Sequence, residues 1–463
     1  MKRIFSLFFV LAFVSVFSAC KESDPPLPDN LVQFESAEQG ADAATKEVTI
    51  KLKLTRATDV AVPVVVQVTP TGIAYGTQFT TTPAATGNLL NLTIPAASSE
   101  VSFKLTKADN LFLNGSETVG FTITSAASPV ILGTTKQLTV KFTSIVSDGT
   151  ALTLDGGTGG SSAINSVFAD LSNNEAIAVK RAAWDLGFYS GTDFRVILNN
   201  TTGAAAIALT KNDLTQVTAA DTVGLVLNVS NFDPAGLKLI DDVSGDLTKT
   251  VIPSISATDA DNKVFIINRG TGGGVAARAW MKVRVLRNGT TGYTLQYAGI
   301  KETTFKTVSI TKDATYNFQF VSFDTGATIN VEPAKARWDI EWTGGMNKTS
   351  DGTNDIPYYF ADQVFINTLG GVTAAELLTS AVTYDAYAES NIATTTFKND
   401  RMVIGSNWRA TTGTVGVKTD RFYVVKDATG NIYKLKFVSF TSQDGGERGK
   451  PKIEFKLVKK AAV

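Results

Sequence analysis

"ARWDIEWTGGM" (residues 336–346) has a near copy earlier in the chain, "AAWDLGFYSGT" (182–192), and the tryptophans Trp184 and Trp338 stand 154 residues apart. In the later copy Trp338, Ile340 and Trp342 fall on one side of an extended chain, with Arg337, Asp339 and Glu341 on the other. In the earlier copy Trp184, Leu186 and Phe188 make the apolar side and Asp185 holds the polar register. A period of two marks a β-strand, and large aromatics on one side mark the side that is buried. Trp184, Asp185, Trp338 and Asp339 are therefore read as a structural core motif, one strand for each of two domains. Asp185 and Asp339 are the motif's candidate catalytic carboxylates, yet neither copy offers a second nearby carboxylate with a nucleophile. Such an aspartate ordinarily receives backbone or arginine hydrogen bonds. No catalytic residue is assigned.

The repeat extends outward from the tryptophans. Related lead-ins precede them, "VFADLSNNEAIAVKRAAWD" (167–185) and "VSFDTGATINVEPAKARWD" (321–339). Paired hairpins follow, "KVFIINRGTGGGVAARAWMKVRVL" (263–286) and "RFYVVKDATGNIYKLKFV" (421–438). Met281, Val283 and Val285 fall in register with Tyr433, Leu435 and Phe437, while Lys282 and Arg284 match Lys434 and Lys436 on the opposite face. A slip of one residue would turn those charges into the core, so the alternation sets each strand's facing. The reading is a tandem duplication, with domains at 148–310 and 311–463. "VTAAELLTSAVTYDAYA" (372–388) is the main helical candidate, with Thr373 as N-cap.

Residues 31–147 also read as all-β. In "KEVTIKLKL" Val48, Ile50, Leu52 and Leu54 alternate with Lys51 and Lys53, and short strands recur between turns rich in Thr, Gly and Pro, the pattern of a β-sandwich. The fold class expected for the whole chain is all-β, an N-terminal sandwich followed by two β-rich domains.

The first residues are not fold. Lys2 and Arg3 precede an apolar run from Ile4 to Phe17, and the small residues Ser18 and Ala19 lead to Cys20, the only cysteine. The run is shorter than the ~20 residues that span a bilayer and has the flanks of a signal peptide. "FSAC" resembles a bacterial lipobox, with Phe17 where an aliphatic residue is commoner. The resemblance implies a signal peptide over 1–19, lipidation of Cys20 and a tether over 20–30. The protein it implies is an outer-membrane lipoprotein exposed at the cell surface, held by acyl chains worth about 0.8 kcal/mol per buried CH₂.

Composition excludes more than it assigns. Basic and acidic residues balance at 43 each, so no clustered positive surface announces a nucleic-acid partner. Histidine is absent, which removes His-based acid–base catalysis, His zinc sites and His-ligated haem. With one cysteine there is neither an internal disulfide nor a Cys metal cluster. "GTGGG" (270–274) precedes a strand and reads as a flexible turn. The chain is read as not an enzyme.

Two family resemblances follow from these motifs. "VQF", "IAYGTQF" (73–79), "LTIPAASSEVSFKL" (92–105) and "NGSETVGFTI" (114–123) occur in an order that is similar to Calx-β domains, some of which bind calcium through loop carboxylates. Glu35, Glu38, Asp109 and Glu117 are the matching acids. Calcium wants six to eight oxygens, and four scattered carboxylates are ordinarily solvated turn residues, so the unit is read as a spacer with no metal assigned. The Trp-Asp strand and its later hairpin resemble the HmuY-like family of bacterial lipoproteins, over most of 148–463. That resemblance implies an all-β binding protein that captures haem for an outer-membrane receptor, with axial His or Met ligands. Without histidine, Met346 and Met402 are the haem-ligand candidates; Met402 alternates with Ile404 and equally reads as a core filler. The alternative is a non-catalytic adhesion or glycan- or protein-binding lipoprotein, with Trp408, Tyr358 and Tyr359 as stacking candidates.

Overall fold

The structure, a computed structural model, describes residues 27–41, 45–108, 113, 117–142 and 147–461. The chain divides into two compact units, residues 1–144 and 145–463. The signal segment and Cys20 lie outside the described residues.

The first unit contains β1 (Asn30–Phe34), β2 (Glu38–Ala41), β3 (Glu47–Leu54), β4 (Val62–Thr71), β5 (Phe79–Thr82), β6 (Leu89–Ile94), β7 (Glu100–Lys107), β8 (Thr118–Ala126), β9 (Val130–Leu132) and β10 (Gln137–Phe142). They form two five-stranded sheets, β5-β7-β3-β1-β9 and β2-β10-β8-β4-β6. Val48, Ile50, Leu52 and Leu54 are all buried, as the alternation predicts. Glu35 pairs with Lys53 and Glu38 with Lys141, both pairs exposed. Glu117 is buried beneath Gly72, and Asp109 lies outside the described residues. Among the described residues no acidic cluster has the arrangement of a metal site.

The second unit runs through β11 (Ala151–Thr153), β12 (Asn165–Asp170), β13 (Glu175–Lys180), β14 (Leu186–Tyr189), β15 (Val196–Leu198), β16 (Ala205–Ala208), β17 (Phe265–Asn268), β18 (Met281–Asn288), β19 (Gly292–Gly299), β20 (Lys306–Thr311), β21 (Phe318–Ser322) and β22 (Ala327–Ile329). It continues with β23 (Ile340–Ser350), β24 (Asp355–Ile366), β25 (Thr373–Leu378), β26 (Arg409–Ala410), β27 (Gly416–Val417), β28 (Arg421–Lys426), β29 (Ile432–Ser439) and β30 (Lys452–Lys459). Strands β14 to β22 supply two sheets, β15-β14-β21-β22 and β16-β17-β18-β19-β20. The remaining strands, apart from the two-stranded sheet β26-β27, supply the same two designs, β24-β23-β12-β13 and β25-β28-β29-β30-β11.

This corrects the expected division at 148–310 and 311–463. The duplication is real, but each copy's lead-in is built into the other copy's sheets. Hairpin β12–β13 pairs with β23 (Val167↔Trp342, Ala169↔Ile340), and β21 pairs with β14 (Leu186↔Val321, Phe188↔Gln319). Likewise β20 joins β19 and β11 joins β30. One half is thus contiguous and the other joins the two ends of the unit. The repeated strands offer each lead-in two near-equivalent partners, the condition under which elements exchange between copies.

Two further readings are settled by packing. The helical candidate at 372–388 is not helical: its first part is β25, paired along its length with β28 (Thr373↔Lys426 to Leu378↔Arg421). Ladder pairing overrides the helix propensity of "AAELL". Lys282 and Lys434 do lie opposite the core side of β18 and β29, yet both are buried. Each ammonium caps loop carbonyls: Lys282 donates to Val217 and Glu302, and Lys434 to Tyr384, Asp385 and Tyr387. Among the described residues no helix is long and apolar enough to cross a membrane.

Candidate functional site

Both Trp-Asp turns are held by the same device. Asn199 donates to the carbonyls of Arg181 and Trp184, and Asn367 donates to those of Lys335 and Trp338. These asparagines follow β15 and β24, in "NNTTG" and "NTLGG". That recurrence is the signal in the sequence that marks them.

The indoles pack across the exchange. Trp184 meets Phe320 edge-on at 4.8 Å, and Trp338 meets Phe168 edge-on at 5.1 Å. The two aspartates then diverge. Asp185 accepts from Arg269 at 2.6 and 3.0 Å and from the Phe323 N–H, with Arg278 at 3.6 Å. Asp339 accepts the equivalent backbone bond, from Leu171 N–H. The position after β28 that corresponds to Arg269, after β17, is Asp427. Burial, and then the nearby Asp170 and Asp427, hold the Asp339 carboxyl well above the usual carboxylate range. The second copy thus gathers three carboxylates, Asp170, Asp339 and Asp427. Asp170 and Asp427 are themselves tied, to Arg337 and to Asn431.

Between the halves lies a cavity of about 130 Å³ lined by Trp184, Trp338, Phe168, Phe320, Met346, Asp241, Glu332, Glu341 and Arg401. Glu332 accepts the Phe318 N–H at 2.7 Å, and burial pushes its carboxyl up to about 8. Burial also raises Glu341, against the pull of Arg401, Ser166 and Arg181. Asp241 accepts from Leu198 and Val251 N–H, and burial raises it to about 6. The Arg401 guanidinium stacks 3.9 Å from the Phe365 ring centroid. Burial lowers its pKa, with Glu341 and Asp241 acting in the opposite direction.

Of the two methionine candidates only Met346 lines this cavity. It sits inside β23, which runs through the glycine pair with a bulge between Thr343 and Gly345. A side chain at Gly344 would collide with the Tyr359 hydroxyl and the Arg181 guanidinium, which would have to move to admit it. Met346 is 4% exposed, joins a core with Leu214, Leu227 and Ile266, and lies with its sulfur against Gly203. Met402 is partly exposed in a turn and does not reach the cavity. The stacking candidates also separate. Trp408 is a core residue stacked on Phe437, and its indole donates to Asp362 O. Tyr359 is tied to Thr201 O, while Tyr358 is 40% exposed and lies near-parallel to Phe232.

Haem, the group the family resemblance implies, does not fit this donor set. The two thioethers do not share a cavity, one of them is a core knob, and histidine is absent from the chain.

Among curated proteins none matches the chain. Solved structures with similarity include an apo Calx CBD1 domain (16% identity, 25% of this chain and 96% of that one, TM-score 0.22). A two-domain protein of unknown function from Bacteroides fragilis shares 14% identity, over 39% of this chain and 68% of that one, at a TM-score of 0.20. A putative carbohydrate binding protein from Bacteroides ovatus shares 10%, over 93% and 99%, at 0.21. The sequence model of the HmuY protein family matches residues 162–455, a span that takes in both Trp-Asp turns, their asparagine clamps and the cavity between them; this chain belongs to the HmuY family.

Proposed function

We propose that this protein is a non-catalytic capture protein, lipidated at Cys20 on the outer membrane, that holds a small one-ring ligand between the halves of its HmuY-family unit. Delivery to an outer-membrane receptor is the step that such an anchor and cavity serve. The observation that carries the reading is the cavity itself, where indoles from both copies converge with buried polar groups, the make-up of a ligand site. Membership in a family of binding proteins supports it, and the donor set argues against haem ligated by Met346 and Met402. A second reading, adhesion through a surface aromatic pair, is favoured by Tyr358 and by Phe232, which is 54% exposed beside it.

The test uses the full chain in an uncharged detergent, with one-ring fragments and, separately, with hemin. Ring fragments are expected to raise the melting temperature, as any ligand of the folded state does. Leu369→Trp, which enlarges an exposed residue of the cavity wall, is expected to remove the effect. A hemin Soret shift that both Met346→Ala and Met402→Ala abolish would overturn the proposal.

A further inference from the structure

We propose that the cavity selects a small organic cation, a single ring bearing an ammonium group, with Glu332 as the counter-ion and Trp184 and Trp338 as walls. The inference rests on the capture reading above and adds the charge class of the ligand.

Glu332 is 7% exposed and lines the cavity. Its close contacts are the Phe318 N–H and Asn317, and the charged neighbour that acts on it is another acid, Glu341. A carboxylate buried without a cation costs several kcal/mol, and this one avoids the cost by keeping its proton. The guanidinium in the wall does not serve it: Arg401 is stacked on Phe365, and the acids that act on it are Glu341 and Asp241. Three acids against one guanidinium leave the inner wall with more acid groups than basic ones. Asp242, Asp246 and Lys180 also line the cavity, and Asp246 is paired with Lys249. An ammonium group entering here finds an acceptor with no cation of its own, between aromatic rings whose faces attract cations by about 0.5–2 kcal/mol. The volume of about 130 Å³ admits one ring.

Intrinsic fluorescence of the full chain in uncharged detergent, titrated with benzylammonium, benzyl alcohol and benzoate, reads the selection directly. Benzylammonium is expected to bind best. At pH 8.5, where Glu332 is ionised, Glu332→Gln is expected to weaken it about tenfold, the loss of one charge contact of ~1.4 kcal/mol, and to leave benzyl alcohol unchanged. The glutamine has the shape of the protonated acid, and a cooperative melt no lower than that of the wild type shows that the variant folds. On the wild-type chain, moving from pH 6.5 to 8.5 ionises Glu332 and is expected to tighten benzylammonium at least about fivefold. Equal affinities for benzylammonium and benzyl alcohol would overturn the charge selection and leave the capture reading standing. A preference for benzoate would overturn it in favour of Arg401 as anchor. Binding of none of the three would overturn both.

Discussion

Asp185 and Asp339 show how one substitution elsewhere reverses the meaning of a repeated residue. Asp185 shares the buried Arg269 with the more exposed Asp324 and is the ion partner of Arg278, so removing its charge leaves Arg278 without an ion partner and Arg269 with Asp324 alone. Asp185→Asn is therefore expected to cost about 3 kcal/mol, the range for breaking a buried pair, read as a lower denaturant midpoint. Asp339 has backbone help but no arginine, and two acids beside it. Its folded pKa lies above the unfolded value, so between the two the folded state holds a proton that the unfolded state has lost. Its contribution to stability is intact below about pH 4 and falls as pH rises toward the folded value. Asp339→Asn is accordingly expected to raise the melting temperature at pH 8 and to change it little at pH 4; each kcal/mol relieved is worth roughly 2–4 °C. Equal losses for both asparagine variants at pH 8 would refute this account.

Hairpin β23–β24 is where the two copies part company. Its strands hold 11 and 12 residues, against 4 and 3 in β14 and β15. Near the bulge Met346 and Tyr359 leave their own half and pack in the core formed by loops of the other. Met346 is thus a docking knob, and Met346→Ala is expected to cost about 2–4 kcal/mol in urea unfolding, as for a buried large-to-small change. Met402→Ala, in a partly exposed turn, is expected to cost under about 1 kcal/mol. The strand alternation and Trp338's burial were legible from residue order, because period two is a local property of the chain. Burial of Asp339 and Glu341 was not. Glu341 lines the cavity between the halves and Asp339 is enclosed by Asp170, Leu171 and Asp427 of its own half, and no local pattern reports what covers a face.

The second unit is two equivalent halves joined by exchanged lead-ins, so its domain boundary is not its sequence boundary. Residues 181–331 contain both complete sheets of one half and the core around Leu186, Phe188, Val283 and Leu295. This fragment is expected to melt cooperatively when expressed alone. Residues 148–310 keep β12–β13 without β23 and β14 without β21, and are expected to stay unfolded by circular dichroism. The opposite result would restore the division read from the repeat. Composition and periodicity alone established an all-β chain, a duplication at a spacing of 154 residues, the facing of each repeated strand, and the exclusion of histidine chemistry. These follow from residue identity and neighbours along the chain. Which copy pairs with which, the acids gathered around Asp339, and a cavity lined by Glu332 and two indoles were decided in the tertiary structure. Ladder partners, desolvation and enclosed volume all depend on residues brought together from more than a hundred positions apart. The stretch around Trp338 predicted its own strand but had no means of predicting what would cover it.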